Sequence, residues 1–118
     1  MLLEANKEVV RTYLDAALTA GDLSALDATV SNDDLRQRVK GFWTAFTDRL
    51  LDMDSIIAEG DYVATHFNMQ TNHVGPYHGI EATNKRVNLS CTAMYRLENG
   101  KISEYKITWD WTSLFQPS

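Results

Sequence analysis

The stretch "RVNLSCTAMYRLENGKISEYKITWDW", residues 86 to 111, decides how this chain folds. On both sides of the central pair Asn99-Gly100, apolar residues occupy most of the odd positions and polar residues most of the even positions. This period of two is typical of strands that bury one face, and Asn-Gly favours a type I′ turn between paired strands. The stretch therefore predicts an antiparallel hairpin. Its inward-facing side chains are predicted to be Val87, Leu89, Cys91, Ala93, Tyr95, Leu97, Tyr105, Ile107, Trp109 and Trp111.

The same period of two extends upstream as far as residue 50. Residues 50–58 and 62–73 predict two more strands joined by a turn at 59–61, and residues 74–84 form a longer connection to the hairpin. Three of the strands have about ten to twelve residues, which is roughly 33 to 40 Å at ~3.3 Å per residue. A domain of this size is only about 35 Å across. Strands that long should curl, so we expect a strongly curved sheet that encloses a pocket.

Residues 1–46 follow the helical period instead. Gly21 is suited to end a first helix and Asp22 to begin a short second one, because these residue types favour C-caps and N-caps. Ser31, three residues before Asp34, predicts a capping-box-like start of a third helix. The apolar positions at helical spacing are Val9, Val10, Tyr13, Leu14, Ala17 and Leu18, then Leu35, Val39, Phe42 and Phe46. Helices followed by an antiparallel meander predict an α+β fold in one domain spanning 1–118, with three N-terminal helices packed on the sheet.

The composition narrows the possible partners. The chain has 118 residues, of which 44% are hydrophobic, and a net charge of −5. Negative charge and scattered lysines and arginines argue against nucleic acid and against an anionic membrane as partners. The single cysteine, Cys91, excludes an internal disulfide and favours a cytoplasmic location. We find no secretory signal and no apolar run of the ~20 residues that a membrane span needs.

All three histidines lie within residues 66–78, where histidine could move protons near neutral pH. His66 has the outward parity and His78 lies in the loop. His73 combines the inward parity with a place at the expected mouth of the pocket, so it is the best candidate for a general base; a structural histidine is the alternative. Because parity separates His66 from the others, and no carboxylate or thiol completes a set, no metal site is predicted.

Four stretches of the chain resemble the SnoaL-like polyketide cyclases of the NTF2-like superfamily. They are "TAGDLSALD" at 19–27, "IIAEGDYVATHF" at 56–67, "HGIEATNKRV" at 78–87 and "MYRLENGKISEYKITWDW" at 94–111. The resemblance implies a cone-shaped α+β fold with a long curved sheet, and a homodimer formed through the convex face of that sheet. It also implies an interior pocket, which in this superfamily serves both enzymes and non-catalytic binding proteins.

Only some of the residues that the family uses for catalysis are present at the matching positions of this chain. Ile107 stands where the cyclases have the aspartate that serves as general acid or base, and Ala93 stands where they have a histidine. His73 falls where the cyclases show a histidine before Val-Gly, and Asp110 matches the Trp-Asp pair of many relatives. The two main catalytic positions of the family are therefore apolar in this chain.

Two functions follow from these residues. The first is a pocket that binds a small, mainly apolar or aromatic ligand without a cofactor. Its predicted lining is Tyr13, Trp43, Phe67, Met69, His73, Cys91, Tyr105 and Trp109. The alternative is a cofactor-independent cyclase or isomerase that moves a proton next to a carbonyl, with His73 and Asp110 as its catalytic groups. A homodimer is expected with either function, because the outward positions carry mostly short polar side chains suited to an interface between sheets.

Overall fold

The computed structural model describes residues 2–114, so the outer limits of the predicted domain, residues 1 and 118, lie outside the described part. Helix α1 spans Leu2–Thr12 and continues into a π-helical stretch, Tyr13–Thr19, which we call the π segment. Helix α2 spans Leu23–Thr29 and helix α3 spans Asp33–Ala45. Within residues 2–114, none of these helices has the length and apolar character needed to cross a membrane.

Four antiparallel strands follow the helices. They are β1 at Phe46–Glu59, β2 at Tyr62–His73, β3 at Arg86–Glu98 and β4 at Lys101–Asp110, and they lie side by side in chain order. A short 3₁₀ turn, Thr112–Leu114, comes after β4. Three helices followed by a four-stranded antiparallel sheet confirm the predicted α+β fold.

Strand β1 begins earlier than the sequence predicted. Phe46 was assigned to the third helix because it follows Phe42 at helical spacing, but it pairs with His73 as the first residue of the strand. Its ring nevertheless stacks on that of Phe42, with centroids 4.6 Å apart. An apolar residue at the junction satisfies both periods, so the pattern alone could not place the end of the helix.

The predicted inward and outward faces are confirmed. On β2 and β3 the odd positions are buried and the even positions are exposed or half-buried. On β4 the alternation shifts after Ile102, which is buried despite its even number. Leu97 pairs with Ile102 whereas Arg96 pairs with Glu104, so Ser103 is an extra residue that forms a bulge. The turn has positive φ angles of 53° at Asn99 and 76° at Gly100, as the type I′ prediction requires.

The helix caps are only partly as predicted. Asp22 caps α2 by accepting hydrogen bonds from the backbone N–H groups of the next turn, and the preceding glycine has φ +75°. The cap of α3 is Asn32, whose Oδ1 accepts from the Leu35 N–H at 2.9 Å. Ser31 instead donates its hydroxyl to the Ile102 carbonyl at 3.2 Å. The capping box of Ser31 and Asp34 was therefore wrong by one residue, because the serine is used to attach the loop to β4.

Aromatic rings fill much of the space between α3 and the sheet. We call Phe42, Phe46, Tyr77, Trp109 and Trp111 the aromatic cluster. Phe42 stacks on Trp109 with centroids 5.2 Å apart, and Trp109 stacks on Trp111 at 5.5 Å. Tyr77 meets both phenylalanine rings edge to face. This cluster determines how much room remains in the interior.

Candidate functional site

A small cavity, which we call the inner cavity, lies between α3, the π segment and the inner face of the sheet. Its volume is about 30 Å³, close to the share of one water molecule in the liquid. It is lined by Tyr13, Leu18, Leu35, Arg38, Val39, Phe42, Phe67, Tyr77, Cys91, Tyr95, Ile107 and Trp109. The sequence predicted a ligand-sized pocket. The cavity is smaller than that because rings of the aromatic cluster occupy the same space.

Three neutral polar groups in the lining of this cavity are almost fully buried. Tyr13 and Tyr95 meet edge to face with centroids 5.6 Å apart. Burial raises the pKa of both phenols. Burial also raises the pKa of the Cys91 thiol to about 12. All three groups are therefore uncharged near neutral pH, and they can exchange hydrogen bonds with a ligand without supplying an anion.

The π segment positions two of the lining side chains. Its wider turn is shown by the Ala20 backbone N–H, which donates to the Asp15 carbonyl five residues earlier at 3.1 Å. Tyr13 opens the segment and Leu18 lies near its end, and both face the cavity. The Trp43 indole N–H donates to the Ala17 carbonyl at 2.9 Å, which ties the segment to α3. π-helical turns are rare and are frequent at functional sites.

Arg38 and Tyr77 form the mouth of the inner cavity. The same two residues also line a shallow groove of about 440 Å³ on the other side, between α3 and the 74–80 loop. We call it the outer groove, and it includes Asp34 and His78. Because Arg38 and Tyr77 border both spaces, they are the boundary between them.

Polar contacts hold this boundary in place. The Arg38 Nε lies 3.4 Å from the Asp34 carboxylate, and the Arg38 guanidinium lies 5.7 Å from the centre of the Tyr105 ring. The Tyr105 hydroxyl donates a hydrogen bond to the same Asp34 carboxylate. Burial and this hydrogen bond raise the pKa of Tyr105, whereas the charge of Arg38 opposes the rise. Tyr105 was expected to line the pocket, but it lies at the outside of the mouth.

The catalytic positions implied by the family resemblance face the interior. Ala93 and Ile107 are direct partners across β3 and β4, and Ile107 lines the cavity. A carboxylate at 107 would thus project into the cavity, as the cyclase chemistry requires. With isoleucine there, none of the twelve lining residues carries a carboxylate.

His73 is fully enclosed in the core. Its ring stacks on Phe46 with centroids 4.9 Å apart, and its Nδ1 accepts from the Thr83 backbone N–H at 3.2 Å. Burial lowers the pKa of His73, and a backbone contact with Gly75 offsets part of this effect. The predicted position at the pocket mouth was wrong: parity gave the correct face of β2, but not the depth to which the 74–85 connection covers the end of the strand.

The remaining predicted site residues are divided by the structure. Tyr13, Phe67, Cys91 and Trp109 are brought together around the inner cavity, as expected. Trp43 and Met69 are packed elsewhere and do not line it. Asp110 is exposed on the outer face, where it accepts from the Thr112 N–H at 2.9 Å. Hydrogen bonds from the Thr112 hydroxyl and backbone lower the pKa of Asp110. Its side chain therefore caps the final turn.

Sequence reasoning missed Arg38 and Tyr77. A signal for Arg38 was present: it lies three residues after Leu35 and four before Phe42, so this cation belongs to the apolar stripe of α3. Tyr77 gave no such signal, because a loop residue has no period from which its direction can be read. Both were found only from the packing of the loop against α3.

No three side chains of His, Cys, Asp or Glu within residues 2–114 are grouped closely enough to hold a metal ion. The nearest approach to such a site is a pair on the outer face, where His66 Nδ1 lies 3.1 Å from an Asp54 oxygen.

Comparisons with known proteins agree with this architecture. TsrD from Streptomyces laurentii has a TM-score of 0.82 at 20% identity, over 94% of this chain and 92% of that chain. AclR from Streptomyces galilaeus, named as a candidate hydroxylase, has a TM-score of 0.78 at 26% identity, over 95% and 93%. An epoxide hydrolase of the LEH-like type from M. tuberculosis has a TM-score of 0.74 at 15% identity, over 98% and 90%.

At the level of sequence, no curated protein matches this chain, whereas a family model does. The family model described as SnoaL-like polyketide cyclase matches residues 4–117, nearly the whole sequence. The chain therefore belongs to the SnoaL-like polyketide cyclase family and has its NTF2-like fold.

Proposed function

We propose that this protein binds a small, flat, mainly apolar or aromatic molecule between α3, the π segment and the sheet. The observation that carries the proposal is the chemistry of the inner cavity. Its lining combines aromatic and aliphatic walls with three buried, neutral hydrogen-bonding groups, Tyr13, Tyr95 and Cys91. Ligand sites are typically apolar clefts with a few polar groups that fix orientation.

Binding requires the mouth to open, because the inner cavity holds only about 30 Å³. Arg38 and Tyr77 separate it from the outer groove of about 440 Å³, and both side chains are partly exposed to solvent. Moving them aside would join the two spaces. The joined space falls within the ~300–1,000 Å³ that is usual for ligand pockets. The ligand would then take up contacts that the two mouth residues make in the closed protein.

The expected affinity is moderate. Burying about 300 Å² of apolar ligand surface contributes roughly 7 kcal/mol at ~25 cal/mol per Å². Association and ordering cost several kcal/mol, and displacing the mouth residues adds to that cost. We therefore expect a dissociation constant between about 1 μM and 1 mM for a neutral aromatic ligand.

Calorimetric titration with 2-naphthamide, a neutral planar aromatic compound, tests this proposal. We expect the wild-type protein to bind it, and Trp109→Ala to weaken binding by about tenfold or more because the indole is a cavity wall. Tyr62→Ala is the control, since it removes an aromatic side chain that is 45% exposed on the outer face of the sheet and is not part of the lining. Absence of binding by the folded wild-type protein at about 1 mM ligand would overturn the proposal.

The second candidate function is proton transfer next to a carbonyl, which the family match favours. His73 and Asp110 remain its proposed catalytic groups. For His73 to act as a base, the Thr83 N–H would have to release Nδ1 and the core would have to open around the ring. Turnover of an aromatic polyketide-like ketone that His73→Gln abolishes, with the fold intact by circular dichroism, would favour this function over passive binding.

We also propose that the outer face of the sheet binds a second copy of this chain. The side chains of Ile57, Ala64 and Met94 form a row across three neighbouring strands, and Ile57 and Met94 are 66% and 45% exposed. Tyr62, at the end of the same face, is 45% exposed. Exposed apolar rows of this kind are typical of interaction surfaces.

We expect the protein to act in the cytoplasm. This expectation rests on Cys91, the only cysteine in the sequence, because proteins of oxidising compartments commonly use paired cysteines. Its thiol is buried, so it is protected from oxidants in the folded protein.

A further inference from the structure

Arg38 is the one charged residue among the twelve that line the inner cavity. It projects from α3 at the mouth, where the cavity meets the outer groove. Its positive charge opposes the burial-driven rise in the pKa of both Tyr77 and Tyr105, so its field reaches both sides of the mouth. A ligand that enters the cavity from the outer groove passes this guanidinium.

The guanidinium keeps hydrogen-bonding capacity for a ligand. Its ion pair with Asp34 uses Nε, and within residues 2–114 no hydrogen bond or ion pair occupies its two terminal amino groups, Nη1 and Nη2. The pair is solvent-exposed, with side-chain exposures of 49% for Arg38 and 72% for Asp34, so it contributes little to stability. Asp34 is also shared with the Tyr105 hydroxyl. Asp34 thus contacts one edge of Arg38 weakly enough for the side chain to move aside, and it leaves the terminal N–H groups available to a ligand.

We propose that Arg38 selects ligands that carry a carboxylate at one end of a planar apolar body. This inference rests on the proposed ligand-binding function and names the chemical class of its ligand. The fork of terminal N–H groups matches the two oxygens of a carboxylate, which lysine or a neutral donor cannot do as well.

The arrangement of the cavity fixes the orientation of such a ligand. The fully buried polar groups of the lining are the neutral Tyr13, Tyr95 and Cys91, and an anion beside them would lose its hydration without gaining a cation. At the mouth, the carboxylate can stay partly hydrated while it pairs with Arg38. The apolar body therefore enters first, and the acid group stays at the boundary with the outer groove.

Calorimetry with two matched probes tests this inference: 2-naphthoate and its neutral amide, 2-naphthamide. We expect the wild-type protein to bind 2-naphthoate at least about tenfold more tightly, which corresponds to ~1.4 kcal/mol. In Arg38→Gln the preference is lost and the two affinities become equal. Arg36→Gln is the matched control: it removes the same charge from α3, but Arg36 faces Asp27 and Asp33 and does not line the cavity, so it keeps the preference.

The possible outcomes distinguish the role of Arg38 from the ligand-binding function itself. Equal binding of both probes by the wild-type protein overturns the role of Arg38 and leaves the ligand-binding function standing. A preference for naphthoate that persists in Arg38→Gln, or disappears in Arg36→Gln, also overturns it, because selection would then come from elsewhere or from net charge. Binding of neither probe overturns the proposed function and this inference with it. A tenfold preference that only Arg38→Gln removes supports both.

Discussion

At the scale of single residues, Ile107 determines what the inner cavity can do. It stands opposite Ala93 on the inner face and lines the cavity, where a carboxylate would give the site an acid or base. Because Ile107 is only half-buried, we expect Ile107→Asp to lower the free energy of unfolding by about 1–2 kcal/mol at pH 8, as the new charge loses part of its hydration. Urea denaturation at several pH values measures this effect.

The pH dependence of that variant identifies its cause. Burial should raise the pKa of the new carboxyl, so between its unfolded and folded pKa values the folded state binds more protons. The free energy of unfolding then falls as the pH rises through this range, and the penalty is relieved near pH 4. Ile107→Asn has the same shape without a titrating group and should show a constant penalty. Equal pH profiles for the two variants would show that position 107 is accessible to water.

His73 gives a pH prediction with the opposite sign. Burial lowers its pKa in the folded protein, so the unfolded chain takes up a proton more readily. Above pH ~6.5 the imidazole is largely neutral in both states, and stability from this source is fully present. As the pH falls from about 6.5 through the lower folded pKa, the unfolded state gains protons and wild-type stability declines.

The variant His73→Gln removes this titration. At pH 7.5 we expect it to be about 1–3 kcal/mol less stable than wild type, because the contacts with Thr83 and Phe46 are lost or weakened. At pH 5 the difference should be smaller, since only the wild type is penalised by acid. His78→Gln, at an exposed loop position, should keep the wild-type slope. If the difference in the free energy of unfolding between His73→Gln and wild type does not change with pH, the assignment of a neutral buried histidine is contradicted.

The sequence predicted the direction of single side chains wherever the helical or strand period was clear. The four predicted residues that line the inner cavity, Tyr13, Phe67, Cys91 and Trp109, lie on elements whose period was clear. The prediction failed for His73. The parity of a position tells which face of the strand the side chain is on, but not whether a loop covers it. Arg38 was missed because a charge is normally placed in solvent, and only packing shows that this one borders a cavity.

At the scale of elements, the 74–80 loop depends on its contact with the junction of α3 and β1. The backbone N–H groups of Val74 and Gly75 both donate to the Ala45 carbonyl, at 2.8 and 3.1 Å. A methyl group at Gly75 would lie 2.9 Å from the Thr44 carbonyl oxygen, which is a backbone atom and cannot move aside easily. We expect Gly75→Ala to lower the free energy of unfolding by about 1–3 kcal/mol, measured by chemical denaturation.

The matched control for this contact is Gly41→Ala in α3. A methyl group there meets nothing within 4 Å, and alanine favours helix more than glycine does. It should therefore raise the free energy of unfolding by about 0.5–1 kcal/mol. If both substitutions changed stability in the same direction, the loop would not be held by close backbone packing at Gly75.

Elements were predicted well wherever their ends had chemical markers. Asp22 and the Asn99-Gly100 turn were identified because caps and tight turns select particular residue types. The junction at Phe46 had no such marker, since an apolar residue fits both the last turn of α3 and the first inward position of β1. The start of α3 was misplaced for a different reason: Ser31 and Asn32 both suit a cap, and their distant contacts with β4 decided between them.

At the scale of the whole molecule, the sequence predicted the fold class but overestimated the space inside it. Alternation along β2, β3 and β4 predicted which side chains turn inward, and the buried positions confirm this. The volume left between them depends on how five aromatic rings stack, from Phe42 to Trp111. Small differences in ring placement decide whether a cavity holds a water molecule or a ligand, and no sequence period records them.

The proposed dimer makes the last prediction, and it concerns the outer face of the sheet. Met94 pairs across the strands with Ala64 and Lys106, so a lysine at 94 would replace an apolar contact by two adjacent like charges. By light scattering after size exclusion, we expect the wild type to have the mass of two 13.4 kDa chains and Met94→Lys the mass of one. Leu23→Lys is the control, because Leu23 is 49% exposed but lies on α2. A single-chain mass for the wild type at about 100 μM, well above the Kd usual for specific dimers, would rule out the dimer. Dissociation by the Leu23 substitution would instead place the contact on the helices.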